Sequence, residues 1–372
     1  MLQRTIHFVN SIRTFGGAEV WMLDCAHGLR ERGYRAAFVA QPHSELLRRA
    51  RRDEFPIAAI PIRFDSAPWT LARLYGWFRR DRTAAVICNL TKDLKAAGVA
   101  ARLAGIKTVF ALRESDFPLK DKLYYRWYFN RIASLVIVNS YATRATTLAS
   151  APWLNPERVR LLYKGIDTDR FRPAEQPTTE PTVGFLGQLI GRKGLRELRG
   201  AWESLERESW PQPPRLLLAG DGPLRQELTR WQASLLFPDR VELLGYMEPA
   251  EQFLQRLSVL VMPSHEEGFG LAAAEASACG LPVVATRTSS LPEIVRHGET
   301  GLLVPPRDPG ALAQAIRQLL HDPALASRLG RAGRRLVGQQ FSRPVMLDGL
   351  ESLLTADSGQ NEMLRPTGNG PP

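Results

Sequence analysis

Residues 263–280 read PSHEEGFGLAAAEASACG and join three local patterns in a fixed order. The apolar run Val259–Met262 before them predicts a buried β-strand, two glycines then turn the chain, and an alanine-rich helix is predicted over Leu271–Ala278. A strand, a glycine-rich turn and a helix are typical of a parallel sheet that helices cover on both faces. The segment therefore predicts one βα unit of a doubly wound sheet.

The same alternation continues on both sides of this segment. Strands are predicted at Thr5–Val9, Arg35–Val39, Ala84–Cys88, Thr108–Ala111, Leu135–Asn139, Thr182–Leu186, Arg215–Ala219, Val241–Leu244, Val259–Met262, Pro282–Thr286 and Gly301–Val304. Intervening helices are predicted at Ala18–Arg32, Gly194–Glu208, Ala250–Leu257 and Pro309–Leu320. The pattern predicts an α/β fold of two Rossmann-like doubly wound domains facing a central cleft. That cleft is the expected site, because ligands bind at the carboxyl ends of such strands.

The chain length and one proline-rich segment set the predicted domain boundaries. At about 150 residues per domain, 372 residues fit two domains. The stretch DTDRFRPAEQPTTEPT has three prolines and no periodicity, which indicates a linker. The predicted order is a domain at 1–172, a linker at 173–181, a domain at 182–357 and a disordered tail at 358–372.

Composition excludes several protein classes. Apolar residues make up 44% and charged residues 23%, which is typical of a globular protein and excludes a disordered, collagen-like or disulfide-rich chain. Cys25, Cys88 and Cys279 are too few and too far apart for a disulfide framework or a CxxC metal site. No stretch approaches the about 20 apolar residues of a membrane helix, and no signal peptide is recognisable. We therefore expect a cytoplasmic protein.

Two glutamates mark the segment after Val259–Met262 as a candidate site. Glu267 lies in the turn and Glu275 eight residues later in the helix. The amides of Gly270 and Leu271 would point outward at the positive end of that helix, which suits a phosphate, and a helical carboxylate such as Glu275 suits the vicinal hydroxyls of a ribose or sugar. The alternative is that Glu275 is an exposed helical glutamate and that the glycines only cap the helix.

Two further glycine turns follow the first strand of each half. Gly184–Gly194 carries Arg192 and Lys193, where cations would meet a diphosphate. Its spacing is not GxGxxG, and GxxxxGK[ST] is absent from the sequence, which disfavours a nicotinamide dehydrogenase and a P-loop NTPase. Phe15–Glu19 opens the helix at Ala18 and offers backbone amides, unless it is an ordinary tight turn.

In this order, these pieces resemble glycosyltransferase family 4. Glu267–Glu275 looks like the E-x7-E element of the family. The other matching pieces are Gly16-Gly17-Ala18-Glu19, Lys164-Gly-Ile-Asp167 with Phe171, Gly187 with Lys193-Gly194, Gly220-Asp-Gly-Pro223, and the run from Gly280 to Glu293 and Gly301.

The resemblance implies a GT-B fold, a nucleotide-sugar donor and retention of anomeric configuration. It implies that Glu267 contacts donor-sugar hydroxyls, Glu275 the ribose, and Lys193 the departing diphosphate, with Arg192 beside it. The implied donor-binding residues are Gly16, Gly17, Gln188, Gly245, Tyr246, Met247, Phe269, Gly270, Leu271 and Glu275. No cofactor is expected besides the donor substrate, and no metal is expected. Asp167-Thr-Asp169 spells D-x-D, but it lies in the inter-domain segment, far along the chain from the donor turns, where a turn role is expected.

This chain departs from the family at two places. Gln188 stands where the family usually has arginine, and Arg192 is the candidate to supply that charge. Many members carry a histidine after the strand that is Thr108–Ala111 here, whereas this chain has Arg113 and Glu114. These two residues are the predicted acceptor-side residues, unless they only form a local ion pair.

The net charge of +11 is concentrated in the first half: residues 1–175 hold 29 basic and 16 acidic residues, and residues 176–372 hold 20 and 22. Arginines at 48–52 and 79–82, with aromatics from Trp69 to Phe78, suit an anionic membrane surface, or else a helix that packs its aromatics into the core. A nucleic-acid partner is not expected, because no RNA-binding motif is present.

Together these patterns predict a retaining glycosyltransferase at the inner face of a bacterial plasma membrane. Its acceptor would be a glycan or a lipid-linked glycan, and its product a surface polysaccharide. The alternatives are a soluble transferase that makes a small glycoside, or a non-catalytic or nucleic-acid-binding α/β protein.

Overall fold

The computed structural model describes residues 5–62, 67–114, 117–176 and 178–357, and the chain folds into two compact units. The first unit consists of residues up to Tyr163 together with the chain from Met346 onward, and the second unit is Lys164–Val345. Each unit contains one parallel β-sheet with helices on both faces. The predicted α/β class with two Rossmann-like domains is confirmed.

Thirteen strands are present in the described ranges. They are β1 (Thr5–Asn10), β2 (Arg35–Ala40), β3 (Ile57–Ala59), β4 (Thr83–Cys88), β5 (Thr108–Arg113), β6 (Leu135–Val138), β7 (Val159–Leu161), β8 (Thr182–Leu186), β9 (Arg215–Ala219), β10 (Val241–Gly245), β11 (Val259–Met262), β12 (Val283–Thr286) and β13 (Gly301–Val304). Nearly all residues of the central strands are buried, as the unbroken apolar runs predict. Two strands were not predicted, β3 and β7. Each has three residues, too few to show a period.

The helices of the described ranges are α1 (Gly17–Glu31), α2 (Glu45–Arg52), α3 (Pro68–Arg80), α4 (Thr91–Asp93), α5 (Val99–Leu103), α6 (Leu123–Trp127), α7 (Tyr141–Ser150), α8 (Leu195–Leu205), α9 (Arg225–Ala233), α10 (Ala250–Leu254), α11 (Leu271–Ala278), α12 (Leu291–Ile294), α13 (Pro309–His321), α14 (Pro323–Leu336) and α15 (Arg343–Asp357). Short π-helical stretches follow α4, α6 and α14 at Leu94–Gly98, Tyr128–Ile132 and Val337–Phe341. Single 3₁₀ turns lie at Pro156–Arg158, Gly191–Lys193 and Pro238–Arg240.

The strand order places a switch point in each sheet. The first sheet has the order β3-β2-β1-β4-β5-β6-β7, and the second has β10-β9-β8-β11-β12-β13. Every pair within them is parallel. The order reverses between β1 and β4 and between β8 and β11, and loops that leave such neighbouring strands diverge and open a crevice for ligands. The turns after β8 and β11 are the two turns in which the sequence places Lys193 and Glu267.

The C-terminal boundary of the second domain differs from the prediction. Residues 346–357 belong to the first unit rather than to a domain at 182–357. The apolar face of α15 is buried in the core of the first unit, where Met346 Sδ accepts a hydrogen bond from Trp21 Nε1 at 2.9 Å. Gly28 of α1 makes room for this packing, since a Cβ there would lie 2.3 Å from Leu347. The predicted linker, for its part, belongs to the second unit, where its described residues form neither helix nor strand.

Three smaller predictions concern the termini and the cysteines. The predicted tail at 358–372 lies outside the described residues. Cys25, Cys88 and Cys279 are all buried and none of them forms a disulfide, as their spacing predicts. In the described ranges, no helix has the length and apolar content that crossing a bilayer requires.

Candidate active site

The turn after β8 carries the first candidate cation. Residues 191–193 form a single 3₁₀ turn that ends at Gly194, whose φ of +69° lies in the left-handed region. A Cβ on Gly194 would lie 1.8 Å from the carbonyl oxygen of Pro263, so only glycine fits there. This close approach holds the turn after β8 against the turn after β11. The same close approach fixes the backbone at Lys193, from which the Lys193 side chain extends.

The turn after β11 is held by hydroxyl groups from its neighbours. Ser290 Oγ donates to the carbonyl oxygens of Glu267 (3.0 Å) and Phe269 (2.9 Å), and Thr288 Oγ1 donates to that of His265 (3.0 Å). The backbone N–H of His265 donates to the carbonyl of Arg192 at 2.8 Å. The turn is therefore fixed by short-range polar contacts before any ligand binds.

Lys193 and Glu267 form an ion pair between these two turns. Lys193 Nζ lies 2.6 Å from Glu267 Oε2, and Ser264 Oγ donates to the same oxygen at 3.2 Å. The side chains are 13% and 12% exposed, so both groups are largely desolvated and still reachable from solvent. In such surroundings charge–charge contacts are stronger than at a fully exposed surface. The two residues are 74 positions apart in sequence, and the fold brings them together.

Glycines also pack the turns after β8, β9 and β10 against one another. A Cβ on Gly220 would lie 1.8 Å from the carbonyl oxygen of Gly187, and one on Gly222 would lie 2.6 Å from that of Leu189. The Gly220 N–H donates to the Gly245 carbonyl at 2.6 Å. The turn after β9 thus joins the loop of the predicted donor residue Gln188 to Gly245, the last residue of β10.

The start of α11 has the geometry expected of an anion-binding turn. Gly270 precedes the helix with φ +93°, and α11 runs for eight residues from Leu271. The first N–H groups of a helix have no intrahelical partner and carry partial positive charge, which favours a bound phosphate. Glu275, one turn further, is half-buried rather than exposed. Glu275 is therefore not the exposed glutamate of the alternative, whereas a purely capping role of the glycines stays open.

One predicted donor side chain belongs to the core instead. Phe269 is buried, and its ring lies edge-on to Phe341 with centroids 5.8 Å apart. The side chain is 3% exposed, so it offers little surface to a ligand. Its carbonyl group is bound by Ser290, as described above.

The remaining predicted residues of the second unit lie at the surface. Arg192, Gln188 and Tyr246 are exposed and Met247 is half-buried. Tyr246 Oη contacts Glu248 at 3.4 Å. These positions are compatible with ligand contacts, and their roles stay predictions.

In the first unit, the glycine turn after β1 is organised by a buried carboxylate. Glu19 accepts hydrogen bonds from Asn10 Nδ2 (2.6 Å) and from the Gly16 N–H (2.8 Å). The contact with the Gly16 N–H fixes the start of α1 at Gly17. The motif Gly16-Gly17-Ala18-Glu19 does not by itself predict this role for Glu19. The three-residue spacing between Gly16 and Glu19 does indicate it, because it is the spacing at which the carboxylate of a capping box accepts from the N-cap N–H.

A second buried carboxylate, Asp93, was not predicted. It follows β4, and its Oδ2 accepts from the Leu90 N–H at 2.9 Å. Burial raises the pKa of the Asp93 carboxyl to about 7, although Ser11, Leu90 and Lys92 act in the opposite direction. No period or motif marks this residue in the sequence, because a lone aspartate after a strand is common in turns.

The acceptor-side candidates lie at the carboxyl end of β5. Arg113 is the last residue of β5, and its guanidinium Nη2 donates to the carbonyl of Phe117. The carbonyl of Glu114 accepts from Asn139 Nδ2 at 3.3 Å. The predicted acceptor role of both side chains stays a prediction, as does the pairing of this edge with the second unit across a cleft.

The D-x-D segment forms a turn. Asp167 Oδ1 accepts from the N–H groups of Asp169 (3.1 Å) and Arg170 (3.0 Å), which is the Asx-type contact expected of a turn aspartate. Among the residues that the structure describes, no group of three or more His, Cys, Asp or Glu side chains could hold a metal ion.

Family models match almost the whole chain. A model described as Glycosyltransferase Family 4 matches residues 15–170, and one described as Glycosyl transferases group 1 matches residues 167–336.

Three known proteins are similar to this chain. The D-inositol 3-phosphate glycosyltransferase of Acidothermus cellulolyticus is 34% identical over 247 residues, which are 62% of this chain and 55% of that protein. The capsular polysaccharide biosynthesis glycosyltransferase CapM of Staphylococcus aureus is 30% identical over 174 residues, or 46% and 45% of the two chains. The chain thus spans about half the length of these curated relatives. The crystal structure of Anabaena HepE in complex with UDP superposes with a TM-score of 0.83 at 21% identity, covering 95% of this chain and 100% of that one. At this identity the likeness concerns the fold.

Proposed function

Because this chain belongs to glycosyltransferase family 4, we propose that it transfers a sugar from a nucleoside diphosphate sugar to a glycan or lipid-linked acceptor, with retention of anomeric configuration. The product would contribute to a bacterial surface polysaccharide, and the enzyme would work in the cytoplasm at the inner face of the plasma membrane. CapM, whose name assigns it to capsular polysaccharide synthesis, supports the polysaccharide role.

The observation that carries the proposal is the Lys193–Glu267 pair at the β8–β11 switch point. Lys193 brings a positive charge to the place where a diphosphate would depart, and Glu267 brings acceptor oxygens for sugar hydroxyls. The N–H groups at Gly270 and Leu271 lie at the start of α11, where a phosphate is favoured. A cation, amides and a carboxylate within two adjoining turns match the three parts of a nucleoside diphosphate sugar.

In the reaction we propose, the bond between the anomeric carbon and the diphosphate oxygen breaks first. The acceptor hydroxyl approaches the same face of the sugar, its oxygen forms the new glycosidic bond, and its proton goes to the departing phosphate oxygen. No protein nucleophile is needed. The role of the protein is to stabilise negative charge on the diphosphate with groups that are already in position, which is an efficient use of fixed cations and amides.

We assign the other predicted site residues to the ribose, the base and the acceptor. Glu275 would bind the ribose hydroxyls, Gly245 to Met247 would lie against the base, and Arg113 and Glu114 would face the acceptor. We propose that the transfer needs no metal, with Lys193 in its place. Full activity in excess chelator would agree with this, and loss of activity that added divalent cation restores would contradict it.

Donor binding can be tested by thermal unfolding with UDP, GDP, ADP and the corresponding sugar nucleotides. One base series should raise the melting temperature by several degrees, because a ligand that binds only the folded state stabilises it. Lys193→Ala should lose most of that shift, while Arg196→Ala, an exposed cation of α8, should keep it. Absence of any shift, together with binding of nucleic acid, would favour the alternative class.

The alternative of a soluble transferase would appear in the acceptor assay. Transfer to small free sugars at the same rate as to lipid-linked glycans would favour it, because a lipid-linked acceptor would then offer no advantage.

A further inference from the structure

The segment Phe117–Arg131, FPLKDKLYYRWYFNR, presents apolar side chains to solvent on the first unit. Leu123 is 82% exposed, Phe117 58%, Trp127 49% and Tyr124 43%. Within it, α6 has no buried residue although four of its five residues are apolar or aromatic. Leu123 and Trp127 are four positions apart and share a helix face. Exposed apolar groups that are contiguous rather than scattered mark interaction surfaces.

This exposure does not come from a loosely attached segment. Phe129 and Ile132 are buried in the core of the first unit, and Tyr125 stacks on Phe129 with ring centroids 6.2 Å apart. Arg102 Nε donates to the Ile132 carbonyl at 2.8 Å. One side of the segment is thus packed firmly, and the fold holds the opposite side outward.

The charges of the segment are mostly positive. Its only acidic residue, Asp121, is bound by Arg126 through two contacts of 2.8 and 2.9 Å. Lys120 and Lys122 are exposed, and within the described ranges neither contacts a carboxylate. Lys122 Nζ lies 5.9 Å from the centre of the Tyr124 ring. Aromatic and leucine side chains flanked by free lysines are the composition that binds a lipid–water interface of negative charge.

The surface that the sequence predicts for this purpose is different. On α3, Leu74 and Phe78 are buried, and Trp77 Nε1 donates to His7 Nε2 at 3.0 Å, so most of that aromatic stretch is core. Only Trp69 and Tyr75 of that stretch are exposed large apolar side chains. The core alternative therefore applies to α3.

Three of the four arginines of α2 are likewise occupied. Arg48 and Arg49 both contact Glu45, and Arg52 contacts Asp53 at 2.9 Å. Paired arginines at a surface contribute less to attraction of an anionic partner than unpaired lysines do.

We propose that residues 117–131 dock the first unit onto an anionic lipid bilayer, with Leu123, Tyr124 and Trp127 in the interface and Lys120 and Lys122 at the lipid phosphates. The segment begins at Phe117, whose carbonyl accepts from Arg113, so the docked surface adjoins the predicted acceptor side. Resting on the proposed function, this contact would place the acceptor side where lipid-linked glycans lie.

Co-sedimentation of the full chain with vesicles tests the proposal. Vesicles of phosphatidylcholine with phosphatidylglycerol should bind the protein, and phosphatidylcholine alone should bind it much more weakly. Leu123→Ala combined with Trp127→Ala should weaken binding about tenfold or more, because two large apolar side chains leave the interface. Lys120→Glu with Lys122→Glu should remove the preference for anionic lipid. Trp69→Ala is the matched control, since Trp69 is an exposed tryptophan of the same unit.

Several results would overturn the docking proposal. They are absence of vesicle binding by the natural chain, unchanged binding of the Leu123/Trp127 variant, or an equal loss in Trp69→Ala. A dimer in sedimentation velocity that the Leu123/Trp127 variant dissociates, without any vesicle binding, would assign the surface to a second copy instead. Thermal unfolding of each variant checks that it folds.

Donor binding separates this proposal from the proposed function. A chain that binds vesicles but no nucleoside diphosphate would keep the docking surface and lose the transferase role. A chain that binds a nucleoside diphosphate but no vesicle would do the reverse.

Discussion

The two sheets of this protein share a strand order but carry opposite chemistry at their switch points. In the second unit, between β8 and β11, a lysine and a glutamate form a pair that solvent can still reach. In the first unit, between β1 and β4, Glu19 and Asp93 are buried. Glu19 accepts hydrogen bonds from Asn10 Nδ2 and the Gly16 N–H, and Asp93 Oδ2 accepts one from the Leu90 N–H. One switch point presents charged groups that a ligand can reach, and the other uses buried carboxyl groups to hold its own loops.

The comparison shows that topology determines where a site can form and not what the site binds. A doubly wound sheet opens a crevice wherever its order reverses, whatever residues follow the strands. The side chains then decide between ligand binding and internal support. We expect substitutions of the charged side chains at the two switch points to differ in kind: those of Lys193 and Glu267 should lower activity, and those of Glu19 and Asp93 should change stability.

The largest expected effect is on transfer by the second unit. Lys193→Ala should lower the transfer rate by about 10²–10³, which is typical for loss of one fixed group that stabilises developing charge. Glu275→Gln should also lower it by orders of magnitude through loss of donor binding. The melting temperatures should stay near that of the natural chain, and Arg196→Ala should transfer at the natural rate. Natural rates in folded Lys193→Ala and Glu275→Gln would contradict the site assignment.

The second-largest expected effect is on stability, and it differs between the glycine turn at Gly194 in the second unit and the one at Gly16 in the first unit. Gly194→Ala should lower the free energy of unfolding by about 3 kcal/mol or more, because its Cβ would meet the Pro263 carbonyl at 1.8 Å and its φ is positive. Gly16→Ala should cost far less: its φ is −160°, and its Cβ would find only Glu19 Oε2 at 3.7 Å.

Urea denaturation measures both glycine effects. Gly191→Ala is the matched control in the same turn as Gly194, since nothing lies within 4 Å of its Cβ. If Gly194→Ala were as stable as Gly191→Ala, the close contact between the turns after β8 and β11 would be wrong.

The smallest effect concerns Asp93 and pH. Burial raises the folded-state pKa of Asp93 to about 7 from an ordinary 3.8, so the folded chain retains a proton that the unfolded chain has released. Stability should therefore fall as pH rises from about 4 to about 7 and then level off, by at least about 1 kcal/mol. Asp93→Asn should flatten that slope, because the amide carries no charge and its oxygen can still accept from Leu90.

Denaturant unfolding at several pH values measures how the free energy of unfolding depends on pH in the natural chain and in Asp93→Asn. An identical slope in Asp93→Asn and the natural chain would show that other groups cause the pH dependence.

Much of the fold was predictable, because continuous apolar runs that alternate with helices are typical of a parallel sheet that helices cover on both faces. The strands β8, β9, β11 and β13 have the predicted bounds, and α11 has them as well. The three-residue edge strands could not be predicted, since three residues show no period. In the site, Gly194 and Lys193 were recognisable, but Asp93 was not, because its importance comes from burial and not from a motif.

By itself, the sequence determined the α/β class, the number of domains and the order of the site segments, since these depend on local periodicity and on glycine turns. Tertiary structure alone decided that Lys193 meets Glu267 and that residues 346–357 return to the first unit. It also decided that α3 packs Trp77 and Phe78 against the core while α6 buries no residue. The physical reason is the same in each case. An amphipathic pattern shows that a face is apolar, and only the neighbouring elements decide whether that face is covered.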